Sequence, residues 1–271
     1  MNHKTISIPA DFKNMLAVTW ILIYILLSTS EPVNGQCREV KTTVIISLDG
    51  FRWDYPDKTF TPNLDLIAKN GVKAKALIPS FPTKTFPNHY TLATGLVPDH
   101  HGIVNNSFYD PEKLRTYSMG DADSRFDPAF YGGEPIWNTA EKQGVKTASF
   151  FWVGTDVAIQ GMHPHYYKIY NRRIPYINRI DTIIAWLSLP ENERPKLIMA
   201  YYEEPDGIGH DFGPDSPETL KLVHEIDSLT GILFARINAL PDADCINFIV
   251  VSDHGMGPTS TERNIALRDY I

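Results

Sequence analysis

Residues 43–50 read TVIISLDG, an unbroken run of apolar and β-branched residues that stops at an acidic residue and a glycine. Such a run is typical of a strand that is covered on both faces, as in a parallel sheet. Comparable runs occupy residues 72–78, 146–152, 197–202 and 246–251, and helical patterns lie between them. This alternation predicts an α/β fold with a mostly parallel central sheet and helices on both faces.

Acidic residues follow three of these predicted strands. Asp49 ends the first run, Asp206 follows the fourth, and Asp253 and His254 follow the fifth. Ligands of parallel α/β sheets bind beyond the carboxyl ends of the strands. We therefore expect these side chains to converge at one edge of the sheet.

A separate signal lies in residues 82–90, PTKTFPNHY, after the predicted strand at 72–78. This stretch opens a short helical pattern that Gly95 closes, so Thr85 is expected to face the positive end of a helix dipole. A Thr hydroxyl is a poor nucleophile until a base or a metal ion activates it. A Thr that only caps a helix is the common alternative, but it leaves the acidic strand ends unexplained.

The residue types at these positions point to a metal ion. Asp206 and His210 are four residues apart, and Asp253 and His254 are adjacent, so each pair can reach an ion from one loop. Carboxylate, imidazole and hydroxyl ligands suit zinc. A single Asp–His pair is more often a surface loop or a helix cap, whereas three acidic strand ends beside a nucleophile corner favour a metal site.

The composition narrows the class of protein. The chain has 271 residues, 43% hydrophobic and 21% charged, enough for one large α/β domain or two small ones. A formal net charge of -7 argues against binding to the backbone of a nucleic-acid duplex. Small anionic substrates remain compatible with this charge, because divalent cations invert the local field.

The N-terminal 35 residues have the pattern of a secretory signal. The uncharged run from Met15 to Leu27 is short for a membrane span, and Gly35 marks the expected cleavage site. We therefore expect an exported protein, associated with a membrane only if this segment stays uncleaved. Cys37 and Cys245 could form a disulfide in an oxidising compartment, but two distant cysteines do not establish one.

Four stretches carry a resemblance to a known family: SLDGFR at 47–52, TKTFPNHY at 83–90, EPDGIGH at 204–210 and SDHGM at 252–256. They resemble the nucleotide pyrophosphatase/phosphodiesterase family of the alkaline phosphatase superfamily. The resemblance extends from about Val44 to the end of the chain. It implies an alkaline-phosphatase-like α/β fold and an enzyme that hydrolyses phosphodiester or pyrophosphate bonds of nucleotides, releasing nucleoside 5′-monophosphates.

The resemblance also implies a site with two zinc ions. One would be held by Asp49, Thr85, Asp253 and His254, and the other by Asp206, His210 and a further histidine. Thr85 would attack phosphorus and carry it as a phospho-threonyl intermediate, between two metals that share the developing charge. Asn106 matches the family's asparagine that donates a hydrogen bond to the phosphoryl oxygen.

Further positions match residues that bind the nucleotide in the family. Phe86 and Tyr170 correspond to the pair that sandwiches the base, and Trp152 and Asp156 to residues that line the pocket. Trp152 would serve equally well as a core residue. Arg125 stands where the family has a lysine near the phosphate tail. Five further histidines, His89, His100, His101, His163 and His165, are expected to be structural or exposed and not to bind metal.

The sequence contains no histidine after His254, where the family has its third ligand of the second zinc. Residues 36–271 are therefore expected to form the N-terminal portion of a catalytic domain that is incomplete at its C-terminus, or else the second metal site is impaired. Two other functions stay open: a phosphodiesterase of lysophospholipids or choline esters, and a binding homologue without activity. A sulfatase is disfavoured, because the Thr85 corner lacks the Cys-x-Pro-x-Arg pattern. The oligomeric state is left open.

Overall fold

A computed structural model describes residues 41–266, 268 and 270 of the chain, all within a unit that spans residues 40–271. The predicted signal segment, residues 1–35, and the predicted disulfide partner Cys37 lie outside the described residues. Among the described helices, none has both the length and the apolar character needed to cross a bilayer.

Two sheets contain all the described strands. The strands are β1 (Thr42–Leu48), β2 (Ser107–Asp110), β3 (Arg115–Ser118), β4 (Thr147–Phe150), β5 (Tyr166–Lys168), β6 (Leu197–Tyr202) and β7 (Ile246–Val251). The larger sheet has the order β5-β4-β6-β1-β7, and every neighbouring pair in it is parallel. The predicted parallel α/β sheet is thus confirmed.

The helices lie between the strands in the chain. They are α1 (Tyr55–Lys58), α2 (Pro62–Asn70), α3 (Thr85–Thr94), α4 (Pro98–His101), α5 (Ala122–Arg125), α6 (Ile136–Lys142), α7 (Tyr176–Leu187), α8 (Asp206–Phe212) and α9 (Pro217–Asn238). The longest of these helices is α9, with 22 residues. Ser216 caps its N-terminus, where the serine hydroxyl accepts a hydrogen bond from the Thr219 N–H, and Pro217 is the first helical residue.

Helices cover both faces of the sheet, as the unbroken apolar strands predict. On one face, Ile46 of β1 lies in a buried cluster with Ile183 of α7 and Leu233 of α9. On the other face, Met199 of β6 lies in a second buried cluster with Tyr90 of α3. Each such side chain contributes about 1.5–3 kcal/mol by leaving water. The sheet is therefore a rigid layer between two cores, and its carboxyl edge is a stable platform.

Register places three strand ends side by side. Leu48 of β1 pairs with Tyr202 of β6, and Ser47 of β1 pairs with Val251 of β7. Parallel strands in this register release their chains at the same edge of the sheet. The loops that follow β1, β6 and β7 therefore begin next to one another.

The prediction of a strand at residues 72–78 is wrong. These residues form no strand, and Val72 and Ile78 are 99% and 89% exposed. An apolar run becomes a strand only when a neighbour supplies hydrogen bonds, and no described strand pairs with this run. The segment instead leads as irregular chain to α3.

Residues 107–133 have no clear hydrophobic periodicity in the sequence, yet they form regular structure. They contain the antiparallel pair β2–β3 and helix α5. The ring of Tyr117 packs 5.1 Å from Phe108 and 5.3 Å from Phe130, measured between centroids. Contacts between aromatic rings at irregular spacings hold this region together, and a search for helical or strand periods does not detect them.

Candidate metal centre

The carboxyl edge of the sheet brings together the residues predicted for the first metal. The Thr85 hydroxyl lies 3.5 Å from Asp49 Oδ1 and 3.5 Å from His254 Nε2. His254 Nε2 lies 3.4 Å from Asp49 Oδ1 and 3.2 Å from Asp253 Oδ2. The four side chains thus point at one small volume, although they come from three distant parts of the chain.

These separations suit a cation better than direct hydrogen bonds. Good O–H···O bonds are most often about 2.7–2.8 Å long and good N–H···O bonds about 2.9–3.0 Å, shorter than the corresponding separations here. Ligand atoms placed about 2.0 Å from a tetrahedral zinc ion are about 3.3 Å from one another. The atoms of Asp49, Thr85, Asp253 and His254 are therefore spaced as the ligands of one such ion would be.

Asp206 and His210 lie beside this group, on helix α8. Ligand atoms of Asp206, Asp49 and His254 are all within 4.8 Å of one another. His210 Nε2 lies 3.5 Å from Asp206 Oδ2, and its side chain is 68% exposed. The spacing of four residues places both on one side of the helix. This pair could hold a second cation that shares the edge of the site with Asp49.

The carboxylates of the site are buried or half-buried, and the positive charge around them does not balance their negative charge. Burial raises the pKa of Asp49 well above its ordinary value, and repulsion from Asp253 and Asp206 raises it further. Burial also raises the pKa of Asp206. For Asp253 burial acts in the same direction, but the neighbouring His89 and His254 outweigh it and lower the pKa. Such mutual repulsion costs stability unless a cation is present.

Two oxygen atoms of the site have no hydrogen-bond partner among the described residues. These two buried atoms are Asp206 Oδ1 and Asp253 Oδ2. Buried carboxylate oxygens without partners are costly, and metal coordination is one of the ways in which proteins satisfy them. The donor set, the spacing and these oxygens all fit a bound metal ion.

The segment around Thr85 has the predicted structure only on its C-terminal side, where helix α3 begins. Thr85 is the first residue of α3, and Gly95 ends the helix in the left-handed conformation. The positive end of the helix dipole therefore lies at Thr85, where it favours negative charge on the hydroxyl oxygen. The preceding segment is irregular, so the corner is a loop-to-helix junction and not a strand-to-helix junction.

Asn106 is oriented by the corner. The Phe86 N–H donates to Asn106 Oδ1 over 3.0 Å. Because the oxygen of the side-chain amide is engaged, its NH₂ group is the part left to donate outward. This arrangement supports the predicted role of Asn106 as a hydrogen-bond donor.

The residues predicted to bind a base are dispersed over the two cores. Phe86 packs 6.3 Å from Tyr117, and Tyr170 packs 5.2 Å from Phe151, with both rings half-buried. Trp152 is 1% exposed, and its indole N–H donates to the backbone oxygen of His89.

Asp156 is half-buried, and burial raises its pKa. The attraction of Arg125 acts in the opposite direction. A shared base pocket for Phe86, Tyr170, Trp152 and Asp156 stays a prediction.

Three contacts of the site are not predicted from the sequence. The Tyr201 hydroxyl donates to Asp49 Oδ2 over 2.6 Å, and the Gly50 N–H donates to Asp253 Oδ1 over 3.2 Å. Buried His89 lies 3.3 Å from Asp253. Tyr201 and Gly50 adjoin predicted strand ends, and His89 is four residues after Thr85 in a predicted helix. That spacing is the signal that could have placed His89 near the site.

Gly50 has a conformation that a side chain would not permit. Its φ is +67°, and a Cβ atom built on it would lie 2.9 Å from the Cα of Asp206. The Asp206 N–H donates to the Asp49 carbonyl over 3.0 Å. Glycine here lets the loops after β1 and β6 touch through their backbones.

Comparison with protein families supports the resemblance. A family model described as type I phosphodiesterase / nucleotide pyrophosphatase matches residues 43–271. Human ectonucleotide pyrophosphatase/phosphodiesterase family member 1 is 42% identical over 246 residues, which cover 90% of this chain and 26% of that protein. An uncharacterised pyrophosphatase/phosphodiesterase of Schizosaccharomyces pombe is 43% identical over 235 residues, covering 86% and 48% of the two chains.

Solved structures with the same fold include two ectonucleotide pyrophosphatase/phosphodiesterases. An inactive form of the murine family member 5, in complex with AMP, superimposes with a TM-score of 0.79 at 37% identity. The human family member 5 gives a TM-score of 0.79 at 38% identity. Each match covers 85% of this chain and 61% of the solved chain. The chain therefore spans about three fifths of the solved relatives and about a quarter to a half of the sequence relatives just described.

Proposed function

We propose, from the premise that the chain belongs to the type I phosphodiesterase / nucleotide pyrophosphatase family, that it hydrolyses phosphodiester or pyrophosphate bonds of nucleotides with zinc as cofactor. The products are nucleoside 5′-monophosphates, and Thr85 carries the phosphoryl group as a covalent intermediate. The observation that supports this proposal most is the set of separations of 3.2–3.5 Å that joins the Thr85 hydroxyl, Asp49, Asp253 and His254.

Two cations fit the donor atoms. Asp49, Thr85, Asp253 and His254 would hold one, and Asp206 and His210 would contribute to the other, together with a further histidine that the family resemblance implies. Mixed carboxylate and imidazole donors favour zinc over magnesium or calcium, which prefer oxygen ligands alone. When bound, the two ions act as Lewis acids that stabilise the charge on the attacking and departing oxygens.

The chain's own residues perform the bond changes. The Thr85 oxygen forms a bond to phosphorus while the bond from phosphorus to the departing oxygen breaks. The Thr85 hydroxyl gives up its proton to water as its oxygen bonds to phosphorus. The Asn106 amide group donates to a phosphoryl oxygen and stabilises the charge that develops there. A water molecule then attacks phosphorus, releases the monophosphate and restores Thr85.

A nucleotide is the substrate class that we propose. The complex of the murine relative with AMP supports it, as do the half-buried rings of Phe86 and Tyr170, which offer stacking surface for a base. We further propose that the protein is exported by its N-terminal residues 1–35, in accord with relatives that are named as ecto-enzymes.

Substitution of Thr85 tests the proposal. We expect Thr85→Ala to lower kcat on a chromogenic nucleoside 5′-monophosphate ester by at least about 10³-fold, because the nucleophile is lost. Thr85→Ser keeps a hydroxyl and should retain measurable activity. Mass spectrometry of acid-quenched wild-type enzyme should detect a nucleoside monophosphate bound to Thr85 through its phosphorus.

Thr83→Ala is the matched control, since Thr83 is an exposed hydroxyl residue of the same segment. It should leave kcat within about threefold of wild type. Near wild-type turnover by Thr85→Ala would exclude Thr85 as the nucleophile. Faster hydrolysis of a choline phosphodiester than of the nucleotide ester would exclude nucleotides as the substrate class.

A further inference from the structure

We propose that His89 is a positioning residue of the metal centre, which ties the start of α3 to strand β1 and sets the placement of Thr85 relative to Asp253. This inference rests on the proposed function. It deepens that function by assigning a role to His89, whose ligand atom lies within 4.8 Å of those of Asp49 and Asp253. Both ring nitrogens of His89 are engaged in hydrogen bonds, so we assign it to positioning and not to metal binding.

Hydrogen bonds hold the His89 ring at both nitrogens. Its side chain is fully buried, Nδ1 lies 2.9 Å from the Thr85 carbonyl oxygen, and Nε2 lies 2.8 Å from Ser47 Oγ. A carbonyl oxygen cannot donate, so Nδ1 carries the hydrogen in the Thr85 contact. In the neutral ring Nε2 is then the acceptor, and the Ser47 hydroxyl donates to it. One imidazole thus connects α3 with β1.

The same ring edge faces a carboxylate of the site. His89 Nδ1 lies 3.3 Å from Asp253 Oδ2, the oxygen that lacks a hydrogen-bond partner. The other oxygen of Asp253 accepts the Gly50 N–H. One oxygen of the carboxylate is therefore fixed by the glycine loop, and the other faces the imidazole edge at 3.3 Å. Partners of this kind, which contact ligands and not the ion, fix the orientation of metal ligands.

Packing fixes the orientation of the ring itself. The Trp152 and Tyr201 rings meet His89 edge-on, with centroids 5.3 and 5.0 Å away. Tyr201 also donates to Asp49 Oδ2. These two rings and the burial of the side chain restrict rotation of the His89 ring. The three segments that it joins carry the nucleophile and two of the predicted ligands, whereas a residue that only filled the core would not contact all three.

Two substitutions separate the two sides of the ring. In His89→Asn the side-chain amide nitrogen takes the place of Nδ1, so the contacts with Thr85 and Asp253 can persist while the bond to Ser47 is lost. In His89→Gln the amide reaches the position of Nε2, so Ser47 keeps a partner but the group beside Asp253 is lost. Ser47→Ala removes the strand contact alone and changes the volume very little.

The readouts are kcat, KM, the zinc affinity of the full chain in competition with a chelator, and the Tm in excess EDTA. We expect His89→Gln to lower kcat and zinc affinity by about 10–100-fold with KM nearly unchanged. His89→Asn should keep kcat and zinc affinity within about fivefold of wild type, although its Tm in EDTA falls as much as that of His89→Gln. Ser47→Ala should lower kcat by about threefold or more.

Equal losses in His89→Asn and His89→Gln, or losses confined to Tm, would overturn the positioning role. Should neither histidine variant fold, an unchanged kcat and zinc affinity in Ser47→Ala would overturn it instead. A wild-type chain that binds zinc and hydrolyses the ester, beside variants with unchanged values, contradicts only this inference. A wild-type chain that binds no zinc and hydrolyses nothing contradicts the proposed function as well.

Discussion

Two groups of buried charges lie at the end of strand β6, and they differ in how their charge is balanced. Glu203 meets the fully buried Arg179, whose guanidinium donates to both carboxylate oxygens over 2.6 and 2.9 Å. In the other group, buried Asp49 and Asp253 lie close to half-buried Asp206. Repulsion among them contributes to the raised pKa values of Asp49 and Asp206.

The difference separates stability from function. Arg179 also donates to the carbonyl oxygens of Tyr201 and Ile174 and lies over the ring of Tyr176, so its polar groups are satisfied within the protein. The aspartate group has oxygens without partners among the described residues. The charges of the first group are balanced within the protein, whereas those of the second need an external cation to be balanced.

Breaking the Arg179–Glu203 pair should have the largest effect on stability. We expect Arg179→Met to lower the free energy of unfolding by about 3–5 kcal/mol, because Glu203 loses its partner and two carbonyls lose a donor. Urea denaturation measures the change. The control is Arg236→Met, whose ion pair with Asp181 is 37% and 57% exposed and should contribute less than about 1 kcal/mol. Similar losses in the two variants would contradict the comparison.

A buried group that stays neutral provides a second test, by pH. Burial lowers the pKa of His101 to about 4, and its ring bonds to Thr91 and Ile103. Because the unfolded chain binds the proton more readily, stability should be present above about pH 6.5 and be lost progressively as the pH falls towards 4. The loss by pH 5 should be on the order of 1 kcal/mol.

His101→Gln should flatten this dependence of unfolding free energy on pH. His100→Gln is the control, since His100 is exposed on the same short helix and should leave the dependence as it is. If the two variants followed the same curve as wild type, His101 would not be the residue that senses pH in this range.

Removal of a charge from the aspartate group should raise the free energy of unfolding of the metal-free chain, whereas the loss of Arg179 lowers it. In the metal-free chain, we expect Asp49→Asn to raise the free energy of unfolding by about 1 kcal/mol, since it relieves repulsion from Asp206 and Asp253. The same change should abolish stabilisation by added zinc. Asp54→Asn, which removes a carboxylate paired with Arg52 and Lys58, should instead lower stability. A destabilised Asp49→Asn chain in EDTA would show that the group is balanced without metal.

The smallest expected effect concerns Asp215 on the surface. Hydrogen bonds from Arg52 and Lys58 lower its pKa to about 2. Its contribution should be present above about pH 4 and be lost as the pH falls towards 2. Asp215→Asn should remove this part of the acid transition at low salt, and 1 M salt should reduce the difference from wild type. Insensitivity to salt would indicate that the pair acts by packing and not by charge.

The sequence predicted the strand ends and not all of their surroundings. Strands β1, β6 and β7 are evident because their residues are apolar on both faces, and the acidic residues after them mark the edge of the sheet. The run at 72–78 has the same composition, yet no described strand pairs with it. Composition shows that a segment can be a strand, and only the partner decides that it is one.

The contacts around the predicted ligands were the harder part. Tyr201 and His89 look like ordinary core residues in the sequence, because their polar atoms are matched by partners far along the chain. Tyr201 meets Asp49, which is 152 positions away, and Gly50 meets Asp253 across 203 positions. Such pairings depend on the sheet register, which the order of predicted strands along the chain does not specify.

The backbone contact at Gly50 has a consequence for metal exchange. The distance between the loops of Asp49 and Asp206 is set by main-chain atoms, with the Asp206 N–H on the Asp49 carbonyl and no side chain between them. Spreading the loops to fit two larger cations would break this hydrogen bond, so we expect the carboxylates to adjust by rotation instead. The spacing between the two cations, and with it the size of the ions accepted, then depends on a main-chain contact.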